Sequence, residues 1–241
     1  MRTAVILAGI AIMAAGLARG EDPPPFSKSP PGEALPKGWS PITLPYGNKA
    51  EIRLVTDDGA TVLRVRSVDA FGTAAAVVDV DSAKTPILKW RWKIDRVVDR
   101  ANLEIKEGED FAARVYVSFD YPTDQLPLAT RTKLSIARAL YDFVPAAAIC
   151  YVWDNKHPVG TSLWSPHFDY VRVVVLESGN AQAGKWVEES RDVAADFRAA
   201  FAERWKGPVP RVNGITAGND TDQSDETSTA WFGDFQWKPG P

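Results

Sequence analysis

A predicted strand at residues 110–119, DFAARVYVSF, carries an arginine among residues typical of a half-buried β-strand. Alternate side chains of a strand share a face, so Arg114 and Tyr116 would lie together on the polar face. Phe111 would lie on the opposite, apolar face with Ala113. Arg114 there either pairs with a neighbouring carboxylate, its stem on Tyr116, or contacts a bound ligand. Both interpretations remain open at this stage.

Aromatic residues close to polar ones form a second candidate ligand-binding group. The chain has nine tryptophans, and flat aromatic faces stack on the apolar faces of sugar rings, while Asp, Asn and Arg bind the hydroxyls. Trp153 is followed by Asp154 and Asn155 near a predicted strand end, and Trp164 lies in the predicted loop SLWSPHF. These four residues, with Arg114 and Tyr116, are the predicted ligand-binding residues. Packing and turn formation are the alternative roles.

Tryptophans in the segment WRWKI, residues 90–94, are expected to behave differently. If this segment is a strand, Trp90 and Trp92 share one face with Ile94, and we expect both rings in the core. Arg91 and Lys93 would share the other face.

An acidic cluster near the C-terminus is rich in the oxygen ligands that calcium prefers. Asp220, Asp222 and Asp225 are its predicted metal ligands, and a structural calcium ion is the cofactor they suggest. The segment is not an EF-hand, because Asp225 stands where glycine is required if Asp220 is the first position. A solvated turn, whose Asp side chains bond their own backbone, is the alternative.

Signature motifs of several enzyme classes do not occur in the sequence. The only histidines, His157 and His167, lack the spacing of a catalytic zinc site, and the sequence has no nucleophile-elbow serine motif and no phosphate-binding glycine loop. Hydrolysis by paired carboxylates stays open, because it needs only two acids at a suitable separation. The carboxylates named for such a pair are Asp110, Asp154, Asp192 and Asp234.

The first 20 residues are typical of a secretory signal peptide. A positively charged start, including Arg2, precedes an apolar run at residues 4–17, and Ala18 and Gly20 suit cleavage. We therefore predict a periplasmic or secreted protein with no transmembrane anchor after cleavage. Loss of Arg2 and Arg19 would change the net charge from −3 to −5. Without a clustered basic stretch, nucleic acid is not an expected partner.

Proline-dense sequence at residues 21–38 predicts an extended tether rather than a helix or a central strand. From residue 39 to residue 241 the pattern predicts one domain of short strands separated by turn signals. The predicted strands are residues 51–56, 61–67, 74–80, 87–94, 111–119, 147–153 and 171–177. The fold class is therefore mainly β, an antiparallel β-sandwich of jelly-roll type.

One or two accessory helices are expected to interrupt the strands. Residues 130–142 carry a partial apolar stripe that Pro145 ends. A second helix would be capped by Ser190, with Asp192 in its first turn and Val193 and Phe197 on its apolar face. The single cysteine, Cys150, is expected to be a small buried side chain on a strand.

Several segments in the same order resemble one family of exported bacterial proteins, catalogued as domain of unknown function 3047. The similar segments are WRWKI, EDFAARVYVSF, ICYVWDNKHPVGT, WVEESRDVAADFRAAF, and NDTD followed by FGDFQW. The resemblance covers most of the chain from Trp39 onward and implies no established activity. The sequence departs from the family pattern at residues 223–226. The closing segment FGDFQW also resembles the last strand of galactose-binding-like jelly rolls, which include carbohydrate-binding modules.

Two functions from different classes follow from these observations. The first is a non-catalytic extracytoplasmic binding protein for a glycan, a cell-envelope component or another polar ligand. The second is a carbohydrate-active hydrolase or lyase that uses paired carboxylates. A carboxyl pair about 5 to 10 Å apart in a cleft would favour the second.

Overall fold

The computed structural model describes residues 22–44, 47–140 and 144–240. The predicted signal peptide, residues 1–20, lies outside these ranges. In the described part of the chain, neither helix is both long and apolar enough to cross a membrane.

Short strands and two helices make up the fold, as the turn-punctuated sequence predicts. In chain order the strands are β1 (Trp39–Thr43), β2 (Asn48–Lys49), β3 (Glu51–Asp57), β4 (Ala60–Val68), β5 (Ala70–Val80), β6 (Ile87–Ile94), β7 (Phe111–Phe119), β8 (Ala147–Asp154), β9 (Ser162–Trp164), β10 (Val171–Ser178), β11 (Val187–Asp192), β12 (Val212–Asp220), β13 (Thr227–Phe232) and β14 (Gln236–Lys238). The helices are α1 (Leu128–Leu140) and α2 (Val193–Ala200).

The strands form two sheets that pack face to face. The larger sheet has eight strands in the order β1-β5-β12-β7-β8-β10-β9, with β2 beside β5. The smaller has six strands in the order β11-β6-β13-β4-β3, with β14 beside β6. Pairing is antiparallel except for β10 with β8 and β2 with β5, which are parallel. The prediction of a mainly β sandwich with accessory helices is confirmed.

The second helix begins differently from the prediction. Ser190 lies in β11, and Asp192 is the N-cap of α2, its side chain accepting a hydrogen bond from the backbone N–H of Ala195 at 2.8 Å. A carboxylate is as good a cap as a hydroxyl. Pairing of the preceding residues with β6 keeps them extended, which moves the helix start to Val193.

Apolar side chains from the facing sides of both sheets fill one main core. Trp90 and Trp92 of β6 lie in it, as alternation along that strand predicts. Trp92 packs edge-on against Trp90, with ring centroids 5.7 Å apart, and also contacts the ring of Trp153 from the larger sheet at 5.9 Å. These aromatic contacts join the sheets across the sandwich.

Residues 22–38 pack against the sandwich rather than forming the predicted tether. Phe26 is fully buried in the main core, 4.6 Å from the ring of Trp39, whose indole N–H donates to the Pro24 carbonyl at 2.8 Å. The Ser27 hydroxyl donates to Asp234 at 2.5 Å. Prolines exclude regular helix from this segment, but they leave its apolar side chains free to enter the core.

Candidate functional site

A bulge in β7 changes which side chains face outward on the larger sheet. In the register with β12, Arg114 pairs with Gly218 but Phe111 pairs with Asp220, so two residues of β7 oppose one of β12. Ala113 belongs to the main core, whereas Phe111 packs with Cys150 on the other face of the sheet. The expectation that Phe111 shares the face of Ala113 is therefore wrong.

Arg114 is almost fully buried on this outer face and forms an ion pair. Its Nη1 lies 2.8 Å from Oδ2 of Asp220 and donates to the Tyr116 hydroxyl at 3.4 Å. Its guanidinium also lies 4.7 Å from the centroid of the Phe71 ring. Burial raises the pKa of Asp220 well above its ordinary value, although Arg114 acts in the opposite direction. Of the two interpretations of Arg114, pairing with a carboxylate describes the structure, and contact with a ligand stays a prediction for Arg114 and Tyr116.

Three carboxylates come together beside this ion pair. One oxygen each from Asp110, Asp220 and Asp222 lie within 4.8 Å of one another. Burial raises the pKa of Asp110 to about 6 and also raises that of Asp222. Asp225, the third predicted metal ligand, is exposed in the turn with φ +56° and is not in this group. Asp110, which directly precedes β7, takes its place.

The solvated-turn interpretation fails for the first residues of the acidic segment. Asn219 and Asp220 are the last residues of β12 and are buried. The Asn219 side chain accepts from the Ser67 hydroxyl at 2.8 Å and donates to the Ser228 carbonyl at 3.1 Å. These bonds connect the larger sheet to β4 and β13 of the smaller one.

Trp153 does not lie where a ligand could stack on it. The ring is 1% exposed between the two sheets, and its N–H donates to the Gly179 carbonyl at 3.0 Å. Alternation along β8 places Trp153 with Tyr151 in the core. The structure thus assigns Trp153 to packing.

Asp154 and Asn155 hold loops at the end of β8. Oδ2 of Asp154 accepts from the backbone N–H groups of Lys156 and His157 at 2.9 and 2.6 Å. The Asn155 amide donates to the carbonyls of Asp99 and Ala101, both at 2.9 Å. Turn formation, the alternative role in the sequence, describes the bonds of Asp154, whereas Asn155 links β8 to the loop before β7. Ligand binding by these two residues stays a prediction.

Trp164 lies half-buried on the short edge strand β9, covered by cations. The Arg204 guanidinium lies 3.7 Å and the Arg172 guanidinium 5.0 Å from its ring centroid, and Phe201 packs edge-on at 5.2 Å. A role of Trp164 in ligand binding stays a prediction.

The acids named for a hydrolytic pair have structural partners instead. Asp192 caps α2, Asp234 accepts from Ser27, and Asp154 closes its turn. Asp110 is fully buried, and its Oδ2 accepts from the backbone N–H of Ser224 at 2.8 Å.

The outer side of the smaller sheet carries a basic and aromatic surface that sequence reasoning did not assign to binding. We call it the outer basic face. It consists of Arg53, Arg64, Arg66, Lys89, Arg91, Lys93, Trp186 and Trp231. Its centre is a cross-strand row in which Lys93 is directly opposite Trp231, Trp231 opposite Arg64, and Arg64 opposite Arg53.

Lys93 lies between two half-buried indole rings on this face. Its Nζ is 5.1 Å from the centroid of the Trp186 ring and 4.7 Å from that of Trp231, and it contacts both oxygens of Asp57 at 2.7 and 2.6 Å. The Trp186 N–H donates to Asp57 at 2.9 Å, and the Arg91 guanidinium lies 4.4 Å from the Trp186 centroid. Burial alone would raise the pKa of Asp57, but the bonds from Lys93 and Trp186 lower it.

Part of this surface was visible in the sequence. Alternation in WRWKI predicts that Arg91 and Lys93 share the face opposite the core tryptophans, and the structure has them there. Trp231 was missed because β13, TSTAWF, follows an acidic turn and has no clear polar and apolar alternation.

Fold and site together define a β-sandwich protein with a basic aromatic surface on one sheet and a buried acidic group on the other. The chain belongs to the family of proteins of unknown function DUF3047, whose model matches residues 37–236. No curated protein matches the sequence.

Among solved structures, the chain is similar to the xyloglucanase domain of NopAA, a type three effector from Sinorhizobium fredii, in complex with cellobiose. That match is 9% identical with a TM-score of 0.45, over 88% of this chain and 97% of the other. The endo-1,4-β-glucanase CelB2 is 13% identical with a TM-score of 0.47, over 88% and 98%. The family 30 carbohydrate-binding module of Cel9D-Cel44B from Clostridium thermocellum is 11% identical with a TM-score of 0.35, over 90% and 94%. No activity is carried over from these proteins.

Proposed function

We propose that this protein is a non-catalytic carbohydrate-binding protein that acts outside the cytoplasm and binds an acidic glycan on its outer basic face. The observation that carries the proposal is the placement of Trp186 and Trp231 on either side of Lys93, both half-buried on the outer side of one sheet. Location outside the cytoplasm rests on the signal-peptide pattern of residues 1–20.

Sugar rings have apolar faces of C–H groups that pack on flat aromatic rings, and tryptophan offers the largest such area. Contacts hold both rings: the Trp186 N–H donates to Asp57, and the Lys93 ammonium lies on the Trp231 ring. Fixed rings lose little conformational entropy when a ligand binds. Two rings separated by one lysine therefore suit consecutive sugars of a chain.

The charge of this face favours carboxylated sugars over neutral ones. The six basic side chains of this face outnumber the acids that lie among them, which are Glu51, Asp57, Asp58 and Glu188. The whole chain, in contrast, has a net charge of −3. Arg64 lies 2.6 Å from Glu51 and Arg91 3.6 Å from Asp58, and the two basic side chains remain 26% and 28% exposed. A carboxylated sugar would therefore share these guanidinium groups with carboxylates of the protein. Planar guanidinium groups bind carboxylates in a bidentate manner.

The test is a binding titration of the mature chain, from residue 21, with oligogalacturonate and oligoalginate, and with neutral cellohexaose for comparison. We expect saturable binding of an acidic oligosaccharide that weakens as salt is raised, because exposed charge pairs are screened. Replacement of Trp231 by alanine should weaken this binding at least about tenfold, which corresponds to about 1.4 kcal/mol. Trp205→Ala is the matched control, since Trp205 is half-buried near the end of α2 and packs on Tyr121 at 5.0 Å.

The same samples separate binding from catalysis. An unchanged oligosaccharide after prolonged incubation is expected, and newly formed reducing or unsaturated ends would favour the hydrolase or lyase alternative. Equal affinity of wild type and Trp231→Ala would show that the outer basic face is not the binding surface. Binding only of cellohexaose, insensitive to salt, would contradict the preference for an acidic glycan.

A further inference from the structure

The three carboxylates beside Arg114 come from separate parts of the chain that the fold brings to one place. Asp110 directly precedes β7, Asp220 ends β12, and Asp222 lies in the turn between β12 and β13. One oxygen from each lies within 4.8 Å of the others. Carboxylate oxygens bind calcium at 2.3–2.6 Å, so oxygens that share one ion are up to about 5 Å apart. Three carboxylate oxygens at this spacing can bind the same ion.

Asp110 contributes an oxygen that the surrounding described residues leave without a donor. Its side chain is fully buried, and Oδ2 accepts from the backbone N–H groups of Gln223 and Ser224 at 3.2 and 2.8 Å. Oδ1 is buried and has no hydrogen-bond partner within the described ranges, and the same holds for Oδ1 of Asp222. Buried polar atoms of folded proteins are nearly always satisfied, and an exception calls for an explanation such as an ion.

Charge in this group is not balanced by the side chains. Arg114 supplies one positive charge at 2.8 Å from Asp220, against the three carboxylates, and Glu109 and Asp69 add further negative charge nearby. Burial of unpaired carboxylates is costly, because they lose hydration without gaining a partner. When all three carboxyl groups are ionised, a divalent cation would neutralise the two charges that Arg114 leaves uncompensated.

We infer that Asp110, Asp220 and Asp222 form a binding site for one hard divalent cation, calcium, which joins the start of β7 to the turn after β12. Arg114 stays on Asp220, because a carboxylate oxygen has lone pairs for both the guanidinium and the ion. Calcium accepts irregular sets of carboxylate, carbonyl and water oxygens, whereas magnesium demands near-octahedral geometry. The site lies at the larger sheet, so the inference is independent of the glycan proposed for the smaller one.

The test measures calcium binding to the purified full mature chain after treatment with EDTA. We expect a stoichiometry of one by calorimetry, and a rise in Tm of about 5 °C at a hundredfold excess over Kd, because calcium binds the folded state only. Magnesium at the same concentration should give a clearly smaller rise.

Two variants that each remove one negative charge from the same turn distinguish loss of a calcium ligand from a general effect of charge. Asp222→Asn removes one ligand charge from a half-buried position, and we expect it to fold and to lose at least about nine-tenths of the calcium affinity. Asp225→Asn, an exposed position three residues further along the turn, should respond to calcium as the wild type does. Absence of calcium heat and of a Tm shift in the wild type would overturn the inference. A full response in Asp222→Asn would overturn it equally.

Discussion

Arg114 is a buried cation whose main partner is the carboxylate of Asp220, so its removal leaves negative charge in a site that water does not reach. We expect Arg114→Ala to lower the free energy of unfolding by about 3–5 kcal/mol, because breaking one side of a buried pair exposes the desolvation penalty of the other. Urea unfolding at pH 7 in EDTA measures this change. Arg198→Ala, an exposed arginine of α2, is the control and should change stability by less than about 0.5 kcal/mol.

A double variant tests whether the loss of stability in Arg114→Ala comes from the unpaired charge of Asp220. Asp220→Asn in the Arg114→Ala background removes the stranded charge, so the double variant should be more stable than the sum of the single effects predicts. Strict additivity of the two changes would contradict the ion pair.

The carboxyl group of Glu189 in β11 is expected to make the stability of the fold depend on pH. Burial raises its pKa from 4.5 to about 7, helped by repulsion from Glu177 and opposed by the N–H of Trp92 and by Arg191. Between about pH 4.5 and pH 7 the folded chain holds this proton more tightly than the unfolded chain does, so stability falls as pH rises through this window.

We expect Glu189→Gln to remove this part of the pH dependence while keeping an acceptor for Trp92, whose N–H lies 3.1 Å from the carboxylate. The variant should be more stable than wild type at pH 8, by on the order of 1 kcal/mol after discounting for solvent screening, and equal to it near pH 4.5. Urea unfolding across this range gives the comparison. Glu188→Gln, its exposed neighbour, should leave the slope unchanged; an equal gain there would point to net charge instead.

Gly218 lies where strand β12 approaches β5 closely in the middle of the larger sheet. A Cβ on Gly218 would lie 2.2 Å from the Gly72 carbonyl oxygen and 2.6 Å from the Thr73 Cα. We therefore expect Gly218→Ala to destabilise the protein by about 1–3 kcal/mol or more, since backbone must shift to accept the methyl group. Thermal unfolding checks this. Gly240→Ala, where the nearest atom is 3.3 Å away on Pro86, is the control and should have little effect.

Elements whose own side chains determine their structure were predictable from sequence. Strands β6 and β7 have the predicted bounds, because the alternation of apolar and polar side chains marks the length of each strand. Strand β12, VNGITAGND, was missed because its two glycines and its polar residues disfavour strand in isolation, and pairing with β5 and β7 on both sides overrides that preference. The bulge that redirects Phe111 depends on that same missed partner, so no pattern within β7 could reveal it.

The candidate site residues, too, were predictable only where they lie close together in the sequence. Asp220 and Asp222 were recognised because they lie close together in the sequence, whereas Asp110 joins them only through the pairing of β7 with β12. For Trp153 the sequence left ligand binding and packing open, and its position on the same side of β8 as Tyr151 places it in the core.

Charge at the scale of the whole molecule is divided between the two sheets. The net charge of −3 hides a surface rich in arginine and lysine on the smaller sheet and buried carboxylates at the larger one. Electrostatic attraction of an acidic glycan to the outer basic face would act over about 10 Å at 0.1 M salt. The proposed glycan surface and the proposed cation site share no side chain, so binding at one would not compete with binding at the other.

The proline-dense entry segment belongs to the folded unit, as the contacts of Phe26 show. Its side chain is fully buried in the main core between the sheets, packed on Trp39, and its removal leaves a cavity that neighbours held by two sheets cannot readily fill. We expect Phe26→Ala to lower the free energy of unfolding by about 3–5 kcal/mol, measured by urea unfolding. Lys28→Ala, an exposed change in the same short 3₁₀ helix, should be within about 0.5 kcal/mol of wild type. If Phe26→Ala were equally mild, residues 22–38 would contribute no core and the segment would act as the tether that its composition suggests.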